Sequence, residues 1–266
     1  MQPTVTPASP SDPGRAAAPS AIGKMTSVIE ALADNRRVVE ICAATSLTSS
    51  TVHRILQELV QLGWAREDDD RGYSLGPRVL AIAGRVPQES AVVRAAKGAL
   101  QLLNSQTGHA VHLGSRLGDE IVYLDKLEGS RSYHMRSRIG VVVPIHTTGI
   151  GKAMLAHCDD DEVTALLERT GMAARTEYSI IDTPAFLTEL AATRQRGYAE
   201  DLEENELHTR CVAAAILNHR GLPVAGISVS ALDFDLDRGR MRVLGPLVAA
   251  AAGTVTAALG GAAPAD

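Results

Sequence analysis

The chain reads as an α+β protein in two parts: an N-terminal winged helix-turn-helix, then a GAF-like antiparallel sheet domain with flanking helices. Three observations predict this. Residues 37–62, RVVEICAATSLTSSTVHRILQELVQL, hold two short helical patterns joined by the turn Thr45-Ser46-Leu47. The next stretch, LGWAREDDDRGYSLGP, suits a β-hairpin. Everything after it mixes short alternating runs with helical ones, the pattern of a sheet covered by helices.

In the second helix of the pair, Val52, Ile55, Leu56 and Leu59 recur at i, i+3, i+4 and i+7, so that face packs inward. Thr48 or Ser49 is the expected N-cap. Ser49, Ser50 and Thr51 in the first turn, with His53, Arg54 and Gln57, then form the side that can reach base edges and phosphates in a DNA groove. Double-stranded DNA is the first partner this order of elements implies. The hairpin that follows, Trp64–Glu67 with Gly72–Leu75 around the turn Asp68–Arg71, is the wing. Trp64 and Tyr73 read as its hydrophobic supports and Cys42 as core. Asp68, Asp69 and Asp70 repel phosphate, so the wing tip should bend away or lean on Arg66 and Arg71.

A length of 266 residues, 45% of them hydrophobic, is enough for two cores. Residues 1–20 carry Pro3, Pro7, Pro10, Pro13 and Pro19 among small polar residues and should form a disordered tail. The DNA-binding domain with its linker helix should occupy 21–85, and the second domain 90–260. Across residues 21–84 seven cations face eight anions, so this domain is not basic. Binding then depends on where charges sit, and a dimer contacts more phosphates than a single copy. Cys42, Cys158 and Cys211 lie far apart without a CxxC pair, which argues against a disulfide framework or a zinc knuckle and suits a reducing cytoplasm. His109, His112, His134 and His146 also lack metal-ligand spacing, and no metal or cofactor is expected. Residues 243–265 are uncharged, but Leu244, Leu247, Val248, Ala251, Val255 and Leu259 form a stripe that suits a packed terminal helix better than a membrane span.

After the wing, Arg78–Arg85 is expected as the linker helix, and in the second domain helices are expected at Ser90–Thr107, Ile150–His157, Asp159–Thr170 and Pro184–Arg196. Strands are expected in AVHLGSR, EIVYLDKLE, SYHMRSRIG, GYAEDLE, CVAAAILN and VAGISVSAL. Its densest chemistry lies between residues 197 and 232, which hold Asp201, Glu203, Glu204, Cys211, Ser228 and Ser230. Ser228 and Ser230 are two apart and share a sheet face. The hairpin turn at Asn218–Leu222 lets Cys211 lie on the neighbouring strand. HTTGIGKAMLAH opens a helix at Gly149 and Gly151 whose backbone N–H groups attract a small anion. Glu203 and Glu204 look like an acid–base pair, but surface or fold-stabilising roles fit them better.

TSSTVHRILQELVQLG, GYSLGPRVLAIAG, PIHTTGIGKAMLA and GYAEDLEE with Cys211 and ISVS, in this order, resemble the IclR-type transcriptional regulators over residues 21–259. The resemblance implies a ligand-responsive regulator that binds operator DNA as a homodimer or a dimer of dimers. By the same resemblance a small-molecule effector is held by Gly149 and Ile150 through backbone and by Asp201, Cys211, Ser228 and Ser230 through side chains. Met135 would form part of an apolar wall. There are departures: His208 and Thr209 stand where the family commonly has Gly and an aliphatic residue, Ala215 where Pro is usual, and Leu217 where an aromatic residue or His is common. Ile150 is bulkier than the Ala often found there. An alternative is an acyl-transfer or hydrolytic enzyme with Cys211 as nucleophile and His208 or His219 as its base.

Overall fold

The computed structural model describes residues 20–69, 72–85, 90–133 and 135–261. The expected tail therefore lies outside the described residues, apart from Ser20, as do Asp70 and Arg71 of the wing turn, most of the 85–89 linker and His134. The chain divides into two compact units, Met1–Arg85 and Val86–Asp266.

In the first unit, α1 (Ala21–Leu32), α2 (Val38–Thr45) and α3 (Ser49–Gln61) precede the hairpin of β1 (Ala65–Glu67) and β2 (Tyr73–Leu75), and α4 (Pro77–Ala83) follows. Val52, Ile55, Leu56 and Leu59 are buried as their spacing requires, against Val28, Leu32, Ile41, Ala65 and Tyr73. Cys42 and Trp64 pack at the edge of this core. The turn between α2 and α3 depends on Ser46, which sits in the left-handed region at φ 56°.

The second unit is built on a six-stranded antiparallel sheet in the order β5-β4-β3-β8-β7-β6. Its strands are β3 (Ala110–Leu117), β4 (Glu120–Leu127), β5 (Val142–Pro144), β6 (Ala199–Leu202), β7 (Thr209–Leu217) and β8 (Pro223–Leu232). Side-chain alternation divides it into two faces. Val111, Leu113, Val212, Ala214, Ile216, Ile227 and Val229 point to one side, where α5 (Ala91–Thr107) and α9 (Arg238–Ala258) cover them in a continuous apolar core. On the other side α6 (Gly149–Leu155), α7 (Asp160–Thr170) and α8 (Thr183–Arg196) build a second core around Ile145, Met154, Leu166, Phe186 and Leu190.

One expectation is corrected. SYHMRSRIG forms no strand among its described residues; the segment before β5 is irregular. Lys126 Nζ donates to the carbonyls of Met135 (2.9 Å) and Ser137 (2.7 Å), which takes those acceptors out of any ladder. Gly140, at φ 84°, turns the chain into β5. The terminal helix packs as its stripe leads one to expect, with Val248 and Val255 buried and Leu244, Ala251 and Leu259 against the same core. Its buried side also takes in Met241, Gly245, Ala252 and Thr256, while Leu247 is 41% exposed. Gly245 is required there, because the Tyr198 ring lies where a Cβ would be. Helix α9 is long and apolar enough to cross a membrane by length and composition, yet its buried residues belong to the core on β7 and β8.

Candidate functional site

On α3 the cap is Thr48, whose hydroxyl accepts the Thr51 N–H at 3.4 Å. Thr51 is half-buried and its own hydroxyl lies 2.9 Å from that of Thr48, so this side chain is partly committed to the cap. Ser49, Ser50, His53, Arg54 and Gln57 are exposed along the same helix. In the wing, Asp68 pairs with Arg36 at 2.8 Å and Arg66 at 3.3 Å and accepts from Ser74, which offsets one of the acidic charges near the tip. Tyr73 is buried, and Arg78 lies over the Trp64 ring.

In the sheet, register brings the predicted effector residues together. Asp201 lies opposite Cys211, Cys211 opposite Ser230, and Ser228 opposite both Ala213 and His112. All four of Asp201, Cys211, Ser228 and Ser230 are on the face away from the α5–α9 core, and none is more than 7% exposed. Across from them stands the first turn of α6. A Cβ on Gly149 would come within 2.5 Å of Cys211 Sγ, so only glycine allows this approach. The Gly149 N–H is directed at that sulfur, and the Thr148 hydroxyl takes the Gly151 N–H at 3.2 Å. These groups, with Met135 and Ile150, line a cavity of about 730 Å³.

Several residues singled out for no such role by the sequence also line it, among them His112, Tyr123, Ser137 and Arg175. His112 Nε2 is 2.7 Å from Ser137 Oγ, and its Nδ1 is 3.5 Å from Ser230 Oγ. Burial, aided by nearby Lys126, lowers the His112 pKa to about 4, so the ring is neutral near pH 7 and bonds as donor and acceptor. Its place on the cavity face follows from strand alternation, since its neighbours Val111 and Leu113 both enter the core.

Beneath the cavity lies a charge cluster. Lys152 is fully buried and donates to Glu204 at 2.5 Å. The Asp201 carboxylate accepts the Glu204 N–H at 2.8 Å and the Asn205 N–H. Burial, with Glu204 beside it, pushes Asp201 up to about 7 against the pull of Lys152 and these N–H groups. Burial likewise raises Glu204 and the Cys211 thiol, the latter with Asp201 adding to the effect. Glu204 is thus a buried ion-pair partner, not a surface residue. Glu203 binds Arg210 at 3.0 Å from a left-handed backbone at φ 68°. Both follow the end of β6, so strand alternation does not govern them.

His208 is also left-handed, at φ 62°, where glycine is unstrained; this is the position at which the resembled family commonly has Gly. Glu203, His208 and Asp233 offer ligand atoms within 4.8 Å of one another. The groups already satisfy each other: the Glu203 carboxylate holds Arg210 and the His208 N–H, and His208 Nδ1 is 3.4 Å from Asp233.

A winged helix-turn-helix in a chain whose second domain holds a cavity with buried polar side chains defines a DNA-binding regulator with an effector domain. Residues 21–69 match the IclR helix-turn-helix domain and residues 85–257 the bacterial transcriptional regulator IclR C-terminal domain. The chain belongs to the IclR family of transcriptional regulators. It is 32% identical to the HTH-type transcriptional regulator KdgR of Escherichia coli over 91% of this chain and 93% of that protein. To the E. coli regulator XynR it is 35% identical over 76% of this chain and 80% of XynR. The crystal structure of Thermotoga maritima IclR matches with a TM-score of 0.72 at 28% identity, covering 90% of this chain and 98% of that one.

Proposed function

We propose that this regulator reads operator DNA through Ser49, Ser50, Thr51, His53, Arg54 and Gln57, and that its C-terminal cavity binds a small carboxylate metabolite. The metabolite would contact Asp201, Cys211, Ser228 and Ser230, the backbone of Gly149 and Ile150, and Met135 as an apolar wall. One observation carries the reading: four buried polar side chains from three adjacent strands converge on one cavity. Gly149 and Gly151 direct their N–H groups at Cys211 and Thr148, so Ile150 supplies the backbone donor of that turn.

The protein acts in the cytoplasm, without a membrane, metal or cofactor, as a homodimer or a dimer of dimers. Two copies double the phosphate contacts of a domain with little positive charge and make the operator a pseudo-palindrome. Ligand binding changes DNA affinity by its differential affinity for two arrangements of the protein. Cys211 fits ligand contact better than catalysis. Its buried thiol is held protonated, and among the described residues no histidine hydrogen-bonds its sulfur.

The test is isothermal titration with an effector found by thermal-shift screening of small carboxylates. Each neutral hydrogen bond contributes on the order of 1 kcal/mol, so Ser228→Ala with Ser230→Ala should weaken binding by about 2 kcal/mol, roughly thirtyfold. DNA affinity without effector should stay the same. Wild-type effector affinity in the double variant would move the ligand elsewhere.

A further inference from the structure

A bound anion would meet an obstacle beside the cavity wall. Lys152 is the cation within the buried cluster, and Glu204 already holds it. Asp201 adds a second carboxyl to the same enclosure and is itself 5% exposed. With both carboxyls ionised the cluster carries one net negative charge at the place where a ligand carboxylate would be received. The other groups around Asp201 do not correct this. Cys211 on β7 and Tyr123 on β4 are neutral, burial pushing both of their pKa values up. Glu206 adds a negative charge near Tyr123. Arg136 and Arg175 line the cavity but are exposed, and Arg136 lies 3.7 Å from Glu206.

We propose that Asp201 receives the ligand carboxylate as a neutral acid, donating a hydrogen bond to it, so that each anion bound brings one proton from solvent into the cavity. The inference rests on the proposed anion site and gives it a regulatory property: effector response falls as pH rises. In the neutral form the Lys152–Glu204 pair is balanced, and Asp201 joins Ser228 and Ser230 as a donor. The carboxyl oxygen that accepts the Glu204 N–H keeps the group oriented while the proton comes and goes. In the empty site Asp201 is half-protonated near pH 7. An anion beside it favours the protonated form further. Below about pH 6 affinity is then flat, and well above 7 it falls by up to about tenfold per pH unit.

The experiment is calorimetric titration of the full chain with L-lactate and D-gluconate at pH 5.5, 7 and 8.5, each in two buffers of different ionisation enthalpy. Both probes remain ionised throughout, since a carboxyl of this kind titrates at about 3.5. Proton uptake should be near zero at pH 5.5 and approach one per site at pH 8.5. Asp201→Asn, which is always neutral, should abolish uptake and flatten the affinity profile. Glu204→Gln leaves Lys152 to balance an ionised Asp201, so the cluster carries no net charge with Asp201 ionised and the profile should shift to a weaker fall in affinity at high pH. Binding without uptake at pH 8.5 overturns the proposal and leaves the anion site intact. Uptake that persists in Asp201→Asn, or an unshifted profile in Glu204→Gln, also overturns it. If neither probe binds at any pH, the anion site and the proposal fail together.

Discussion

Replacing Lys152 by Met isolates what the buried ion pair contributes to the second unit. The substitution keeps a chain of similar length in a fully enclosed site but leaves Glu204 without its cation at a donor distance of 2.5 Å. The abandoned carboxylate also has one buried oxygen, Oε2, with no hydrogen-bond partner. Breaking such a pair from one side typically costs about 3–5 kcal/mol. Protonation limits the penalty: neutralising a carboxyl of ordinary pKa at pH 7 costs about 1.4 kcal/mol for each of roughly 2.7 units, or close to 4 kcal/mol. The cost should therefore shrink by about 1.4 kcal/mol per pH unit as pH falls from 7 toward 5, because the proton that the orphaned carboxyl takes up in the folded state, and not in the unfolded chain, is then cheaper to bind. Lys152→Met with Glu204→Leu should recover most of the loss. Urea denaturation followed by far-UV circular dichroism measures this. The fluorescence of the lone tryptophan, Trp64, reports the first unit separately and should keep its midpoint. A cost below about 1 kcal/mol at pH 7, or a double variant as unstable as the single one, would refute the reasoning.

Two further outcomes concern other parts of the molecule. Arg54→Ala should weaken operator binding and reduce the salt slope by about one if the guanidinium contacts a phosphate, as measured by fluorescence anisotropy across a salt series; unchanged affinity would take this helix face out of the interface. His208→Gly should stabilise the second unit by about 1 kcal/mol, because it relieves a left-handed backbone at φ 62° and loses only an exposed contact with Asp233. A lower denaturation midpoint in that variant would mean that the His208–Asp233 contact outweighs the strain.

The parts of the fold governed by short-range periodicity were legible in the sequence. Val52, Ile55, Leu56 and Leu59 locate α3, and the two-residue spacing of Ser228 and Ser230 puts them on one sheet face with Cys211 across the ladder. What escaped depends on contacts between distant segments. Nothing local to SYHMRSRIG reveals that Lys126, nine and eleven residues before its carbonyl partners, will hold Met135 and Ser137 off the sheet. Lys152 looks like one polar residue in a short helix until Glu204, 52 residues later, is brought to it. His112 carries no metal-ligand spacing in the sequence, yet strand parity alone directs it away from Val111 and Leu113 and toward the cavity. The left-handed conformation of His208 was foreshadowed by the glycine common at that position in the family.

The division of the sheet into two faces also separates two kinds of change. On β7 the even positions Val212, Ala214 and Ile216 hold the α5–α9 core, whereas the odd positions run from Cys211 at the cavity to Ala213 in the second core. On β8 the assignment is reversed, with Ile227 and Val229 in the core and Ser228 and Ser230 at the cavity. A strand of this kind carries two interleaved texts, one written for folding and one for chemistry. On the proposed reading of the cavity as the effector site, substitutions at the cavity positions should change which small molecule is bound while leaving the α5–α9 core residues in place. That separability suits the scaffold to becoming a biosensor for a chosen metabolite, with libraries confined to alternate letters of two strands.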